Sequence, residues 1–574
     1  MRNIIVREYL ESLTEKSELD YIFPILLEVM DFKLISTPKK TAGLTQYGKD
    51  VIAVGVDKDG VKKRFYFELK GGKDRHITDR TYSKTDGVRE SIIEAKDRDY
   101  TDSSNPRFNK LPVKIVVVHN GDINPSVKET FDGMIAREFP SGGAFEFERW
   151  DIYELTQLFS NKLFNEYLLV DDEATIRFKR VLVLIDTPGN DYTDFFILVD
   201  FMLKKAGRDL DLEIRKRLLL FETIRLVAFI VFHYAKEGKN LEVAKRCIPY
   251  AVLGLWYWIL ENNLQKNKAV VKHFRKIFEL LLATFDAYFT ETIPIAKIKD
   301  GLLSEKGGRY EQIGYPIRAL DYLSYLILHD QFQEQKAPKN NRLPIDQVDT
   351  LIDILNKNDG MTRPFFDNHS IPICLTLNYF IRHKRLDAAR SYLRNVLISM
   401  RLAYDANQRL PDGHNRIESV IQFVLRKQKS VYYADKTSLL LGALFEYLAL
   451  LDMETEYYDF KKFVERCKVY LAVFEPFDDY QLKQYLPDVT GSHELCLFDH
   501  ELFKEGYQSE VLLDEKFADF KAKTFAKTRP PYDYATTKAG LDGLLSLAHV
   551  FFKTPLFPGS WRGLRDLIEV AEMD

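Results

Sequence analysis

GLTQYGKDVIAVGVDKDGVKKRFYFELKGG, residues 43–72, decides how this chain is read. An Asp59-Gly60 pair stands between VIAVGV and VKKRFYFELK, and a D-G pair between two such runs is the strongest short hairpin signal a sequence offers. Side chains alternate along a strand, so Glu68 and Lys70, two residues apart, point to one face. Asp50 lies nine residues before the turn, and the Glu68–Lys70 pair eight to ten residues after it. A hairpin folded at Asp59-Gly60 therefore brings one acid opposite an acid–lysine couple at one end of one sheet.

That convergence suits phosphodiester hydrolysis. Two carboxylates, Asp50 and Glu68, can hold a hard divalent cation such as Mg²⁺ or Mn²⁺, with water and a phosphate oxygen completing its shell. The metal lowers the pKa of bound water and offsets phosphate charge. Lys70 would orient or deprotonate the attacking water, or stabilise transition-state charge. Gly71 and Gly72 let a substrate come close to the strand end.

Outward from this stretch, residues 1–175 read as mixed α/β. SELDYIFPILLEVMDF (17–32) predicts a helix followed by a chain reversal, and GVRESIIEAKDRDY (87–100) and SVKETFDGMIAREF (126–139) predict two more. VKIVVVHN (113–120) has the pattern of a strand buried on both faces, AFEFERWD (144–151) is a further strand, and IYELTQLFSNKLF closes the region as a helix. RVLVLID (180–186) predicts one more strand. Long helical patterns follow to the end, among them LEIRKRLLLFETIRLVAFIVFHY and KTSLLLGALFEYLALL. Breakers at 336–344, with Pro338 and Pro344, divide them into regions 176–345 and 346–574.

The pattern G-x-x-Q-x-G-x-D, about 16 residues, then F-E-L-K-G-G resembles the catalytic core of the PD-(D/E)XK nucleases, and within them the Mrr-like restriction endonucleases. The resemblance covers roughly residues 15–160. It implies a restriction-endonuclease-like α/β domain with elements in the order helix, three-stranded meander, helix, strand, a mixed sheet flanked by helices, ahead of a large all-α C-terminal region. It makes Asp50 and Glu68 metal ligands and Lys70 the catalytic lysine. The family often adds an acid from the first helix; Glu18, Asp20 and Glu28 are the candidates here, with Glu18 preferred. Lys49 stands where the family name has proline. The implied activity is Mg²⁺-dependent DNA cleavage in prokaryotic defence against phage or plasmid DNA, controlled by the helical region, by homo-oligomerisation or by a partner. Two alternatives stay open: a nuclease-like domain that binds nucleic acid without cutting, and an RNA-cutting enzyme of the same fold.

Charge agrees locally. The whole chain carries 82 Lys+Arg against 85 Asp+Glu, a formal −3, whereas residues 33–114 hold 19 basic and 12 acidic residues, an excess of seven. Gln46, Lys73, Arg75, Arg80 and Lys84 are the candidate nucleic-acid contacts, of a kind that grips backbone rather than reads bases. No GxxxxGK[ST] loop occurs, so any NTPase motor would be a separate partner. There is no CxxC, HExxH or GxSxG pattern, and the four cysteines stand apart. The charged N-terminus lacks a signal-peptide core, and IPYAVLGLWYWIL (248–260) is too short to span a bilayer. The expected compartment is the cytoplasm, with no membrane partner.

Overall fold

The hairpin forms where the D-G pair predicts it. β1 (Lys33–Ser36), β2 (Val51–Val56) and β3 (Lys62–Lys70) make an antiparallel meander. The Asp57 N–H donates to the Val61 carbonyl, the Gly60 N–H donates back to the Asp57 carbonyl, and Gly60 sits at φ 79°. This is a three-residue loop with glycine in the left-handed position, where a Cβ would strain the backbone. The structure, a computed structural model, describes residues 2–13, 15, 19–37, 48–85, 87–98, 100–101, 108–163, 176–178, 180–181, 192–207, 214–336, 345–476, 506–526 and 535–571.

β4 (Val113–His119) and β5 (Phe145–Trp150) extend the meander in parallel, giving a five-stranded mixed sheet in the order β1-β2-β3-β4-β5. Parallel pairing needs crossovers, and these are helical. α3 (Asp79–Ser83) and α4 (Val88–Asp97) lie between β3 and β4, and α5 (Pro125–Glu138) lies between β4 and β5. Ile92 of α4 and Val127, Phe131 and Met134 of α5 pack in one buried cluster with Val117 of β4. The other face is aromatic. α1 (Arg2–Ser12) is followed by α2 (Asp20–Val29), whose Ile22, Phe23, Leu26 and Leu27 are fully buried. Phe23 meets Phe67 edge-on at 5.1 Å and Trp150 at 6.0 Å, and Phe32 meets Phe65 at 4.9 Å. Phe65, Phe67 and Leu69 thus face the aromatic layer, while Tyr66, Glu68 and Lys70 face the other side.

Packing divides the chain into two units, Met1–Tyr234 and Ala235–Asp574. The first reaches past residue 175 because a helix at Ile214–Glu237 packs on α1, where Phe229 meets Tyr9 edge-on at 5.5 Å. The strand expected at 180–186 does not open as one: Arg180 and Val181 are helical, and 182–186 lie outside the described residues. The second unit is one body and mostly helical, with helices at Leu241–Glu261, Lys268–Ala296, Glu311–Lys336, Ser370–Arg382 and Leu386–Asn407 among others. It is not all-α. β6 (Thr437–Ser438), β7 (Tyr470–Pro476) and β8 (Gly506–Glu510) form a small sheet. β7 follows Lys468, which ends the helix Glu454–Cys467 at φ 53°, so the chain leaves helical geometry just before a buried Leu471-Ala472-Val473 run.

Candidate active site

The pairing register sets the geometry. Val51 pairs with Phe67 and Ile52 with Tyr66, so the next step along the same ladder puts Asp50 opposite Glu68. Asp50 precedes the first residue of β2, and its Oδ2 accepts the Leu69 N–H at 2.8 Å. Lys70 Nζ lies 2.7 Å from Glu68 Oε1, with both side chains largely buried, 13% and 5% exposed. The loop that delivers Asp50 is held close to α4. Gly48 has φ 69°, and a Cβ there would stand 2.0 Å from the Ser91 carbonyl oxygen, so only glycine lets the backbones approach this far.

A third carboxylate joins them. Glu15 sits in the connection between α1 and α2, and its Oε2 accepts the Gly71 N–H at 3.4 Å. Asn120, just beyond β4 and fully buried, places it: its side-chain amide donates to the Leu10 and Leu13 carbonyls at 2.5 and 2.8 Å. The Gly72 N–H also donates to the Leu13 carbonyl, at 3.2 Å. The end of α1 is thereby stapled to the ends of β3 and β4. Glu18, the preferred first-helix acid, and Gln46 lie outside the described residues. Asp20 opens α2, and Glu28 is exposed near that helix's end. Glu15 escaped the sequence reading because the helix expected from residue 17 begins at Asp20, and the acid comes from the connection before it.

Electrostatics mark the group as short of positive charge. Burial, then the neighbouring Glu68 carboxylate, pushes Asp50 well above the ordinary carboxylate range, against the Leu69 N–H and Lys70. Glu15 is raised mainly by burial, with Lys70 opposing. Burial pulls the Lys70 ammonium down, but the Glu68 carboxylate outweighs it and the pKa is raised. Lys70 therefore stays protonated and acts as a hydrogen-bond donor.

The proposed backbone contacts divide. Lys73 and Arg80 are exposed. Lys84 pairs with Asp74 at 2.6 Å, and Arg75 donates to the Glu11 carbonyl at 2.6 Å and to His76 Nε2 at 3.0 Å, so both are spent within the protein. Lys49 is buried, 5.5 Å from the Tyr66 ring centroid.

Among the described residues, one set of three carboxylates brings ligand oxygens all within 4.8 Å of one another: Asp57, Asp59 and Glu146, at the turn end of the sheet. Its cation is already present. The buried Lys63 ammonium lies 2.7, 2.6 and 2.7 Å from the three, and Lys114 adds a contact to Asp57 at 2.6 Å. At the opposite end, Asp50 and Glu68 each spend one oxygen inside the protein. Two carboxylates with the remaining shell from water and phosphate is the donor set Mg²⁺ favours, so the residues fit that ion. Comparisons with protein-family models, with curated proteins and with solved structures returned no match.

Proposed function

We propose that the Met1–Tyr234 unit is a metal-dependent phosphodiesterase of the PD-(D/E)XK type that cleaves DNA. The observation that carries this reading is the register placing Asp50 opposite Glu68, with Lys70 on the same face and Glu15 above the strand end. The element order gives further support, since a helix, a three-stranded meander, helices and a parallel strand stand in the order the resemblance implies.

A Mg²⁺ or Mn²⁺ ion held by Asp50 and Glu68 would supply an acidified water and neutralise phosphate charge. The protein's own groups do the rest. Leu69 N–H holds Asp50 in place. Glu15 is positioned to orient a water by hydrogen bonding. Lys70, kept protonated by Glu68, donates to the phosphate oxygens as charge grows on them, instead of acting as the base. The raised Asp50 also means that metal binding competes with a proton, so affinity rises with pH.

The experiment is plasmid cleavage in Mg²⁺ by full-length protein and by Asp50→Ala, Glu68→Ala and Lys70→Ala, with labelled RNA alongside. Loss of DNA cleavage in all three variants supports the reading, and cutting like the parent by all three overturns it. RNA cut in preference to DNA reassigns the substrate. Metal-dependent DNA binding without cleavage by the parent favours a binding module. A role in defence against phage or plasmid DNA, with or without a separate NTPase, extends the reading; it predicts fewer plaques in cells carrying the parent than in cells carrying Lys70→Ala. Among the described residues no helix is long and apolar enough to cross a membrane.

A further inference from the structure

We propose that the Ala235–Asp574 unit binds a small organic anion of the mononucleotide class in a cavity among its helices Leu241–Glu261, Lys268–Ala296, Glu311–Lys336 and Ser370–Arg382. The cavity measures about 370 Å³, within the range of small-molecule sites.

Its charge is unbalanced in favour of an anion. Asp321 lies 2.8 Å from Arg246, 2.8 Å from Lys553 and 3.4 Å from Lys245. Glu242 takes Lys245 at 2.9 Å and Arg246 at 3.4 Å. Three cations thus share two carboxylates, while Arg318 on the rim is matched by Glu311 at 2.5 Å. The excess positive charge is not all in water. Lys245 is 3% exposed, and its Nζ sits 4.8 Å from the ring centroids of both Tyr288 and Tyr325. One positive charge is thus in excess around the two carboxylates in a largely buried setting, and an anion entering this cavity would offset it.

The walls fit the rest of such a ligand. Tyr288, Tyr322 and Phe366 line the cavity beside Ile317, Leu320 and Ile371, surfaces suited to a planar ring. His369, also lining it, is kept neutral by burial at about 3. The Phe365 N–H donates to its Nδ1 at 3.0 Å, so the ring proton is on Nε2, a neutral donor. Arg318, Lys553 and Glu242 form a half-exposed mouth through which a solute can enter.

The test is calorimetric titration of the full-length protein, in EDTA, with AMP, GMP, CMP and UMP, and with adenosine and inorganic phosphate as the ring-only and charge-only probes. At least one mononucleotide is expected to saturate a single site. Adenosine and phosphate are each expected to bind at least about tenfold more weakly, the worth of one charge-assisted hydrogen bond. Lys553→Met changes a half-exposed side chain and is expected to weaken the nucleotide about tenfold while leaving the ligand-free melting temperature near that of the parent. Arg318→Met is expected to weaken it less, because its charge is already matched. No saturable binding of any of the four nucleotides, or binding that both variants leave unchanged, overturns the proposal. Phosphate binding as tightly as the nucleotide removes the ring from it and overturns the nucleotide class. Asp50→Asn is expected to leave the titration unchanged, so this proposal and the nuclease reading fail separately.

Discussion

The two ends of the first unit's sheet hold the same ingredients, carboxylates and lysines on neighbouring strands, and treat them in opposite ways. At the turn end burial acts on Asp57 first, but hydrogen bonds from Lys114 and Lys63 overcome it and hold the carboxyl at about 2. Asp59 is lowered by Lys63, and Glu148 is lowered despite its burial by Lys58. At the other end Asp50 and Glu15 are raised. The difference lies in how many ammonium groups arrive. Lys63 and Lys114 both donate to Asp57, whereas at the other end Lys70 contacts Glu68 and no ammonium contact to Asp50 or Glu15 is seen among the described residues. One cluster is closed, and the other is left with a deficit that a divalent cation would fill.

The largest expected effect separates the two ends by activity. Lys70→Met slows cleavage by about 10²–10³-fold, whereas Asp59→Asn at the turn end leaves the rate close to the parent's; equal losses in a plasmid assay would erase the distinction. Next comes metal. Mg²⁺ at about a hundredfold excess over its Kd raises the parent's stability by about 2.7 kcal/mol, and Asp50→Asn loses that gain in a thermal melt. Lys63→Met, measured by urea denaturation, costs about 2 kcal/mol, less than a fully buried pair loses because Asp59 and Glu146 reach water.

Smaller and opposite in sign, Asp50→Asn stabilises the metal-free protein by about 1 kcal/mol, as relieving a functional site's repulsion often does. A pH series sharpens the contrast. Asp57, at about 2 in the folded chain against about 3.9 unfolded, contributes stability that is full above about pH 4 and lost as pH falls toward about 2. Asp57→Asn flattens that acid limb. Asp50 runs the other way. Its raised native pKa means the folded state keeps a proton the unfolded chain has released, so metal-free stability falls as pH climbs past about 4. A melt in which both variants moved the same limb would break the comparison.

The sheet end was legible because it rests on counting. A D-G turn and a period of two suffice to put Asp50 across from Glu68 and Lys70. Glu15 was not, since it precedes the apolar periodicity of α2, and its place depends on Asn120 more than a hundred residues on. β1 was implied only by the family order, as a four-residue strand is too short to carry a pattern. β6 and β8, of two and five residues, are as brief, and β7, though seven residues long, follows directly on a helix with no turn signal to set it apart. The aromatic layer of Phe23, Phe67 and Trp150 joins residues far apart in sequence, which no local window can pair. The cation excess around Lys245, Arg246 and Lys553 is invisible in a net charge of −3, because it arises from side chains some 300 positions apart.

The staple made by Asn120 also sets an order in time. Its bonds to Leu10 and Leu13 span 110 and 107 positions, so the end of α1 that leads to Glu15 is held down only once the chain has been made through β4. Contacts of such long sequence separation form late and slowly. A ribosome-bound chain that has just completed the hairpin already contains Asp50, Glu68 and Lys70, yet lacks the strand on which β3 rests and the residue that seats Glu15. The Asp50, Glu68, Lys70 and Glu15 group is thus assembled after its parts have been synthesised, and under the proposed nuclease reading a truncated product ending before residue 120 would be inert toward the cell's own DNA.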